Sequence, residues 1–198
     1  MRRLLGLLVC LAALAGCATL RHPPSPPPTA GGAVPWDARV TQLEHVGSWR
    51  LDGRAAAALG QQGWQASLNW QQDGSSSDVH LAGPLGVGAA DIKVTPAGLS
   101  LNGAPPSPAV MAQLQSKLGF DLPLDNLRYW LLGIPDPGTP FDLTRNPQDR
   151  ALRLLQAGWT IDYDDYMPSN GDLLPKRLVL SRSDARVRIA VDRWQGLP

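Results

Sequence analysis

The sequence predicts a mainly β domain, an antiparallel sheet that stacks as a sandwich or curls into a barrel, interrupted by short helices. Three observations predict it. Apolar and polar residues alternate with period two over much of the chain after Val46, as in strands with one oily and one wet face. Turn residues, Gly, Asn, Asp and Pro, punctuate roughly eight such segments. The composition is also uneven for a dense β core, with seven Trp but two Phe and many inward positions occupied by Ala or Gly. Broad rings among small residues favour a barrel with a cavity, although plain packing of indoles in a core accounts for the same composition.

The first segment reads as an address and an anchor. Met1-Arg2-Arg3 is positive, Leu4 to Ala13 is apolar, and Leu14-Ala15-Gly16 places small residues before Cys17. That is a secretory signal, its apolar run too short for the ~20 residues of a membrane helix. Leu14, Ala15, Gly16 and Cys17 look like a bacterial lipobox, in which the Cys thiol receives a diacylglycerol and the chain is cut before it. Residues 1–16 are therefore expected to be the signal peptide. Residues 17–35 carry the lipidated Cys17 and a Pro-rich tether with Pro23-Pro24-Ser25-Pro26-Pro27-Pro28, and 36–198 form a single domain. Ala18 after the Cys implies sorting to the outer membrane rather than retention.

Charge and cysteine usage narrow the classes. Loss of Cys10 with the signal leaves Cys17 alone, so a disulfide framework is excluded and the core must hold the fold. Loss of Arg2 and Arg3 takes the formal charge from +1 to about −1, which argues against nucleic acid and polybasic membrane binding. Covalent acyl chains, contributing ~0.8 kcal/mol per buried CH₂, would do the anchoring instead.

Within the domain, Trp36, Val40 and Leu43 are spaced for a short helix over Trp36 to Val46. Trp49, Leu51, Gly53, Ala55 and Ala57 then alternate with Arg50, Asp52 and Arg54. Trp64, Ala66, Leu68 and Trp70 continue the pattern until Gln71-Gln72-Asp73-Gly74, read as a turn. Val79 with Leu81, Ile92 with Val94, and Leu99 with Leu101 are further strands. Pro108 opens a helix that Gly119 ends, and Pro123 to Gly133 carries an apolar stripe of Leu124, Leu127, Trp130 and Leu131. Strands resume at Leu152 to Gln156, Trp159 to Tyr163, Leu178 to Leu180 and Val187 to Val191.

One stretch stands apart. Leu81-Ala82-Gly83-Pro84-Leu85-Gly86-Val87-Gly88 is an apolar tip between two strands, where loops are normally polar. Gly and Pro serve the backbone, but Leu85, between Pro84 and Gly86, has few neighbours able to cover it. It either folds back on the core or points into solvent or something oily.

Catalytic chemistry finds no support. His22, His45 and His80 lack a second ligand at metal spacing, and neither a Gly-x-Ser-x-Gly elbow nor a nucleotide-binding loop occurs. Asp162, Asp164 and Asp165 read as a solvated strand face, and the arginines from Arg182 to Arg193 as another wet face or as a rim that meets an acidic carrier. No catalytic residue, metal or cofactor is expected.

Several stretches together resemble the LolB family of outer-membrane lipoprotein receptors: Trp70-Gln71-Gln72, Gly83-Pro84-Leu85-Gly86, and the run from Leu124 through Asn126-Leu127-Arg128-Tyr129-Trp130 to Pro135. So do Gln156-Ala157-Gly158-Trp159 to Tyr163, Leu174-Pro175 and Arg188 to Trp194. The likeness covers essentially the whole chain, with a longer Pro-rich tether and an Ala-rich first strand as departures. The resemblance implies an open, incomplete antiparallel β-barrel, partly covered by short helices, whose apolar cavity holds acyl chains. It implies that lipoproteins are taken from the periplasmic carrier LolA and placed in the inner leaflet of the outer membrane by a lipid-anchored monomer. Trp70, Trp130, Trp159 and Trp194 match the family's Trp positions and are assigned to the cavity wall or its support, and Pro84, Leu85 and Gly86 to the membrane-insertion loop. A lipid-anchored envelope scaffold and a lipocalin-like carrier of small apolar ligands are the rival readings.

Overall fold

The computed structural model describes residues 34–86 and 88–197; the expected signal peptide, Cys17, His22 and almost all of the tether lie outside them. Ten strands form one antiparallel sheet in the order β5-β4-β3-β2-β1-β10-β9-β8-β7-β6. In chain order these are β1 Ser48–Leu59, β2 Gln62–Asp73, β3 Ser76–Ala82, β4 Ala90–Thr95 and β5 Gly98–Leu101, then β6 Phe141–Arg145, β7 Ala151–Gln156, β8 Trp159–Ser169, β9 Asp172–Arg182 and β10 Ala185–Gln195. Strands β5 and β6 are the two edges and do not pair, so the sheet stays open. Helix α1 (Trp36–Glu44) precedes the sheet, and α2 (Pro108–Leu118) and α3 (Leu124–Leu131) lie between its halves.

The period-two reading of β1 holds residue by residue: Trp49, Leu51, Gly53, Ala55 and Ala57 are buried while Arg50 and Arg54 are exposed. Indoles fill much of the interior behind it. Trp49 stacks on Trp70 at 6.1 Å and meets Trp194 edge-on at 5.5 Å. Strict alternation from Val191 would turn Trp194 outward. A bulge where β10 passes Gly53 of β1 changes the phase, leaving both Asp192 and Arg193 outside and Trp194 inside. Gly53 permits this approach, because a Cβ there would run into the Ala190 carbonyl.

Three expectations need correction. Gln71-Gln72-Asp73 is not a turn: β2 runs on to Asp73, and buried Gln72 accepts from Trp70 Nε1 (3.0 Å) and Ser77 Oγ (2.6 Å) while donating to the Gly74 carbonyl. An amide bonded through both its oxygen and its nitrogen is tolerated inside, and the turn moves to Gly74-Ser75. The strand β6 is an addition to the sequence reading: Phe141 and Leu143 alternate with Asp142 and Thr144 over too short a run to stand out, and the edge stays largely exposed. Helix α1 ends at Glu44, short of Val46.

A buried ionic clamp joins α1 to the β8–β9 hairpin. Arg39 Nε donates to Asp172 Oδ2 at 2.8 Å and Arg150 Nη2 to Asp172 Oδ1 at 2.7 Å, both arginines being buried. Burial lowers the Arg39 pKa, and the second cation beside it pushes the same way while Asp172 opposes both. Tyr163 and Tyr166 complete this region, their hydroxyls donating to the Trp130 and Ala151 carbonyls.

Asp172→Asn leaves two buried cations without their anion and is expected to cost about 3 kcal/mol; Arg39→Met, which removes the surplus cation and keeps one pair, should cost less. Urea midpoints of the two variants check this order. Burial raises the pKa of Tyr163 well above 10.0 and raises that of Tyr166. A raised folded-state pKa means the stability is intact below pH ~10 and is lost above it, as the unfolded tyrosines ionise first. Thermal midpoints should therefore fall above pH ~10, and less so in Tyr166→Phe.

Candidate functional site

Helices α2 and α3 do not seal the open sheet completely. Ser107 starts α2 by accepting from the Val110 amide at 3.3 Å, and Gly119, at φ 84°, ends it where the chain meets Leu59 of β1. Between α2, α3 and the β4–β5 edge is a hollow of about 570 Å³, within the ~300–1,000 Å³ usual for ligand pockets. Its apolar lining comes from Val94 and Leu99 of the sheet, Met111, Leu114 and Leu118 of α2, and Phe120, Leu122 and Leu124 beyond it. Asp121, Asp125, Gln115 and Arg128 supply its polar groups. The Arg128 guanidinium lies 4.6 Å over the Tyr129 ring and donates from Nη2 to its hydroxyl, while Nε has no partner.

The cover is pinned by one side chain. Buried Gln156, at the end of β7, accepts from Trp130 Nε1 of α3 (2.7 Å) and from the Asp136 amide (2.9 Å). Its amide nitrogen donates to the Asp136 and Thr139 carbonyls at 2.8 and 2.7 Å. All of its hydrogen-bonding capacity is spent holding α3 and the loop after it against the sheet.

The tip after β3 is the second feature. Pro84–Gly86 forms a single 3₁₀ turn closed by the Gly86 amide on the Gly83 carbonyl at 2.9 Å. Leu85 at its centre is 102 % exposed and held at φ 57°, ψ 24°. That is the left-handed region, which costs a residue with a Cβ about 1–2 kcal/mol. Ser75 and Thr95 of the hollow lie at the opposite ends of β3 and β4 from this tip, about 20 Å away along the strands.

The profile of the family described as outer membrane lipoprotein LolB matches residues 47–194. The chain is 34% identical to the outer-membrane lipoprotein LolB of Nitrosococcus oceani, over 98% of this chain and 97% of that one. It is 34% identical to the protein of the same name from Thiobacillus denitrificans, over the full length of both. The chain belongs to the LolB family. As a LolB-family protein it is a lipid-anchored outer-membrane protein with a receptor role in lipoprotein localisation, not an enzyme. Its fold is similar to the crystal structure of a LolA superfamily protein from Nitrosomonas europaea, with a TM-score of 0.51 at 11% identity over 82% of this chain and 93% of that one.

The LolB resemblance singled out four tryptophans, and none of them lines the hollow. Trp70 and Trp194 belong to the indole cluster, with Trp194 Nε1 donating to the Pro175 carbonyl at 3.0 Å. Trp130 is fully buried on α3, and Trp159 meets Phe120 edge-on at 5.9 Å, one residue behind the lining. Pro84, Leu85 and Gly86 are all exposed. Leu14, Ala15, Gly16 and Cys17 lie outside the described residues. The hollow's own lining was not read from the sequence, although Leu118, Phe120, Leu122 and Leu124 recur every second residue in a stretch with no strand partner. Among the described residues no group of three His, Cys, Asp or Glu could hold a metal, and the tip is not a phosphate loop because a strand, not a helix, follows it. Asp162 and Asp165 face outward against Arg153 and Arg177, whose hydrogen bond keeps the Asp165 carboxyl below its usual range.

Because Leu85 touches nothing and is strained, Leu85→Gly should leave stability within about 1 kcal/mol of the parent or raise it. Thermal unfolding checks this; a clear loss would mean that Leu85 packs on the domain.

Proposed function

We propose that this chain accepts lipoproteins from the soluble periplasmic carrier LolA, holds their acyl chains in the hollow beneath α2 and α3, and places them in the inner leaflet of the outer membrane. The apolar hollow of about 570 Å³ carries this reading. An acyl chain of about fifteen CH₂ groups costs roughly 12 kcal/mol to leave in water at ~0.8 kcal/mol each, so it must stay lined throughout transit. Leu, Val, Met and Phe side chains give such a lining, and Trp130 and Trp159 stand behind it as support. Arg128, which lines the hollow, brings a guanidinium whose charge suits a carbonyl oxygen of the lipid's glyceryl esters.

Handover has no nucleotide to drive it, since the chain has no phosphate-binding loop. It runs downhill, tighter than the carrier and weaker than the bilayer. An open-mouthed hollow, rather than a sealed core, suits the intermediate rank. In this reading Cys17 carries the receptor's own anchor after removal of residues 1–16, residues 17–35 are the tether, and the domain from 36 onward acts as a monomer. Leu85 enters the leaflet and starts release.

Transfer from loaded LolA to outer-membrane vesicles tests the two halves separately. Leu118→Asp, which puts a carboxylate into the apolar lining, should lower acceptance at least about tenfold. Leu85→Glu should fold and accept normally yet insert clients more slowly. Normal acceptance by a folded Leu118→Asp protein would rule out the hollow as the acyl site, and normal insertion by Leu85→Glu would rule out the tip.

A further inference from the structure

The outer face of the sheet carries a trough of about 880 Å³ that the proposed transfer does not use. Strand register explains it. Ala82 of β3, Ser67 of β2, Arg54 of β1, Ala190 of β10 and Arg177 of β9 form one row of cross-strand neighbours. Gln65, Ala56, Arg188 and Val179 form the next. Ala82, Ser67, Ala56 and Ala190 are short and set a low floor, while the arginines rise around it.

The charges around this floor are not balanced. Asp192 pairs with Arg54 at 2.9 Å, and Asp165 holds Arg177 at 2.9 Å and Lys176 at 3.5 Å. Arg186 and Arg188, also in the trough, make no ion pair among the described residues, and the trough's one further carboxylate, Asp164, offsets only one of them. Elsewhere on the same face Arg193 is matched by Asp52 and Lys93 by Asp78. A formal net charge near zero therefore conceals a local surplus of positive charge.

One end of the trough is built by Gly83 and Pro84, the stem of the tip that carries exposed Leu85. An apolar residue able to enter acyl chains beside guanidinium groups fitted to phosphate is the pairing that an anionic bilayer surface selects. A protein partner would need only the charge and would leave the exposed leucine unaccounted for. We propose that the trough seats the phosphate headgroups of anionic phospholipids beside the inserted tip, with Arg186 and Arg188 as the phosphate ligands. This rests on the reading of Leu85 as the membrane-entering residue, and the test keeps the two apart.

The mature chain from residue 17 bearing Cys17→Ala, which lacks both the signal and a site for an acyl anchor, is floated with vesicles of phosphatidylethanolamine alone or with one-quarter phosphatidylglycerol. Binding to the anionic vesicles should be about tenfold tighter at low salt, and the difference should vanish at high salt. Arg186→Gln with Arg188→Gln should abolish that preference and leave binding to neutral vesicles unchanged, with far-UV circular dichroism confirming the fold. Leu85→Glu should weaken binding to both kinds of vesicle. An undiminished preference in the arginine variant overturns the proposal. So does an arginine variant that loses association with an acidic carrier protein while binding vesicles as the parent does, which would give the trough to a protein. If only Leu85→Glu behaves as the parent, the headgroup assignment stands and the tip reading alone falls.

Discussion

The sheet does not close, and that constraint governs the rest of the molecule. Ten antiparallel strands bury one face, but edges β5 and β6 never bond to each other. A closed barrel would meet its own side chains across the interior and fill it. Here the apolar inner face must be covered from outside the sheet, and the covering is done by two short helices between β5 and β6 in the chain. Short helices cannot match the contour of a sheet everywhere. What they leave is the hollow, lined by the last residues of β4, by β5 and by the inward side of α2.

A cover of this kind needs polar fastening, because a loose apolar lid has little to fix its place. Gln156 supplies it at one point, with four hydrogen bonds inside the core. Asp172 supplies it at another, where two buried arginines hold α1 and the β8–β9 hairpin together. Both fastenings lie on the β6–β9 side of the sheet. The β4–β5 side, where the hollow opens, is joined to α2 mainly by apolar contact. Under the proposed function, polar fastening on one side and apolar contact on the other suit a hollow that takes in a long hydrocarbon.

Much of the sheet was legible because alternation is a local signal. In β1 the residues from Trp49 to Ala55 face the side their polarity suggests, and the helix bounded by Ser107-Pro108 and Gly119 carries its own start and stop. The failures share a cause: they depend on side-chain partners that alternation alone does not show. Gln72 reads as turn chemistry until Trp70 and Ser77 satisfy it, and the burial of Arg39 depends on Asp172, 133 positions on. Trp194 enters the core through a bulge that only the opposing strand defines. In the site, Leu85 could be singled out from its neighbours alone, since Pro84 and Gly86 have too little side chain to cover it. The lining of the hollow could not, because it is assembled from a sheet edge, a helix and a coil. The tryptophans drew attention by their number, yet a flat ring that size packs most readily against another flat ring, and three of them do so with each other.

The strain at Leu85 bears on why the tip has this sequence. Glycine would adopt φ 57° without a steric cost, and Gly86 beside it does adopt φ 77°. A leucine held there loses stability and makes no contact within the domain to recover it. The residue that could recover it must come from outside, and it must be apolar. Water offers nothing of the kind, whereas the acyl region of a bilayer does, at a few kcal/mol for one leucine side chain. That gain is small enough to be reversible, which suits a contact made once per client and then released. On the proposed reading, the separation of about 20 Å along the strands between tip and hollow keeps the membrane-entering element from plugging the site that empties into the membrane.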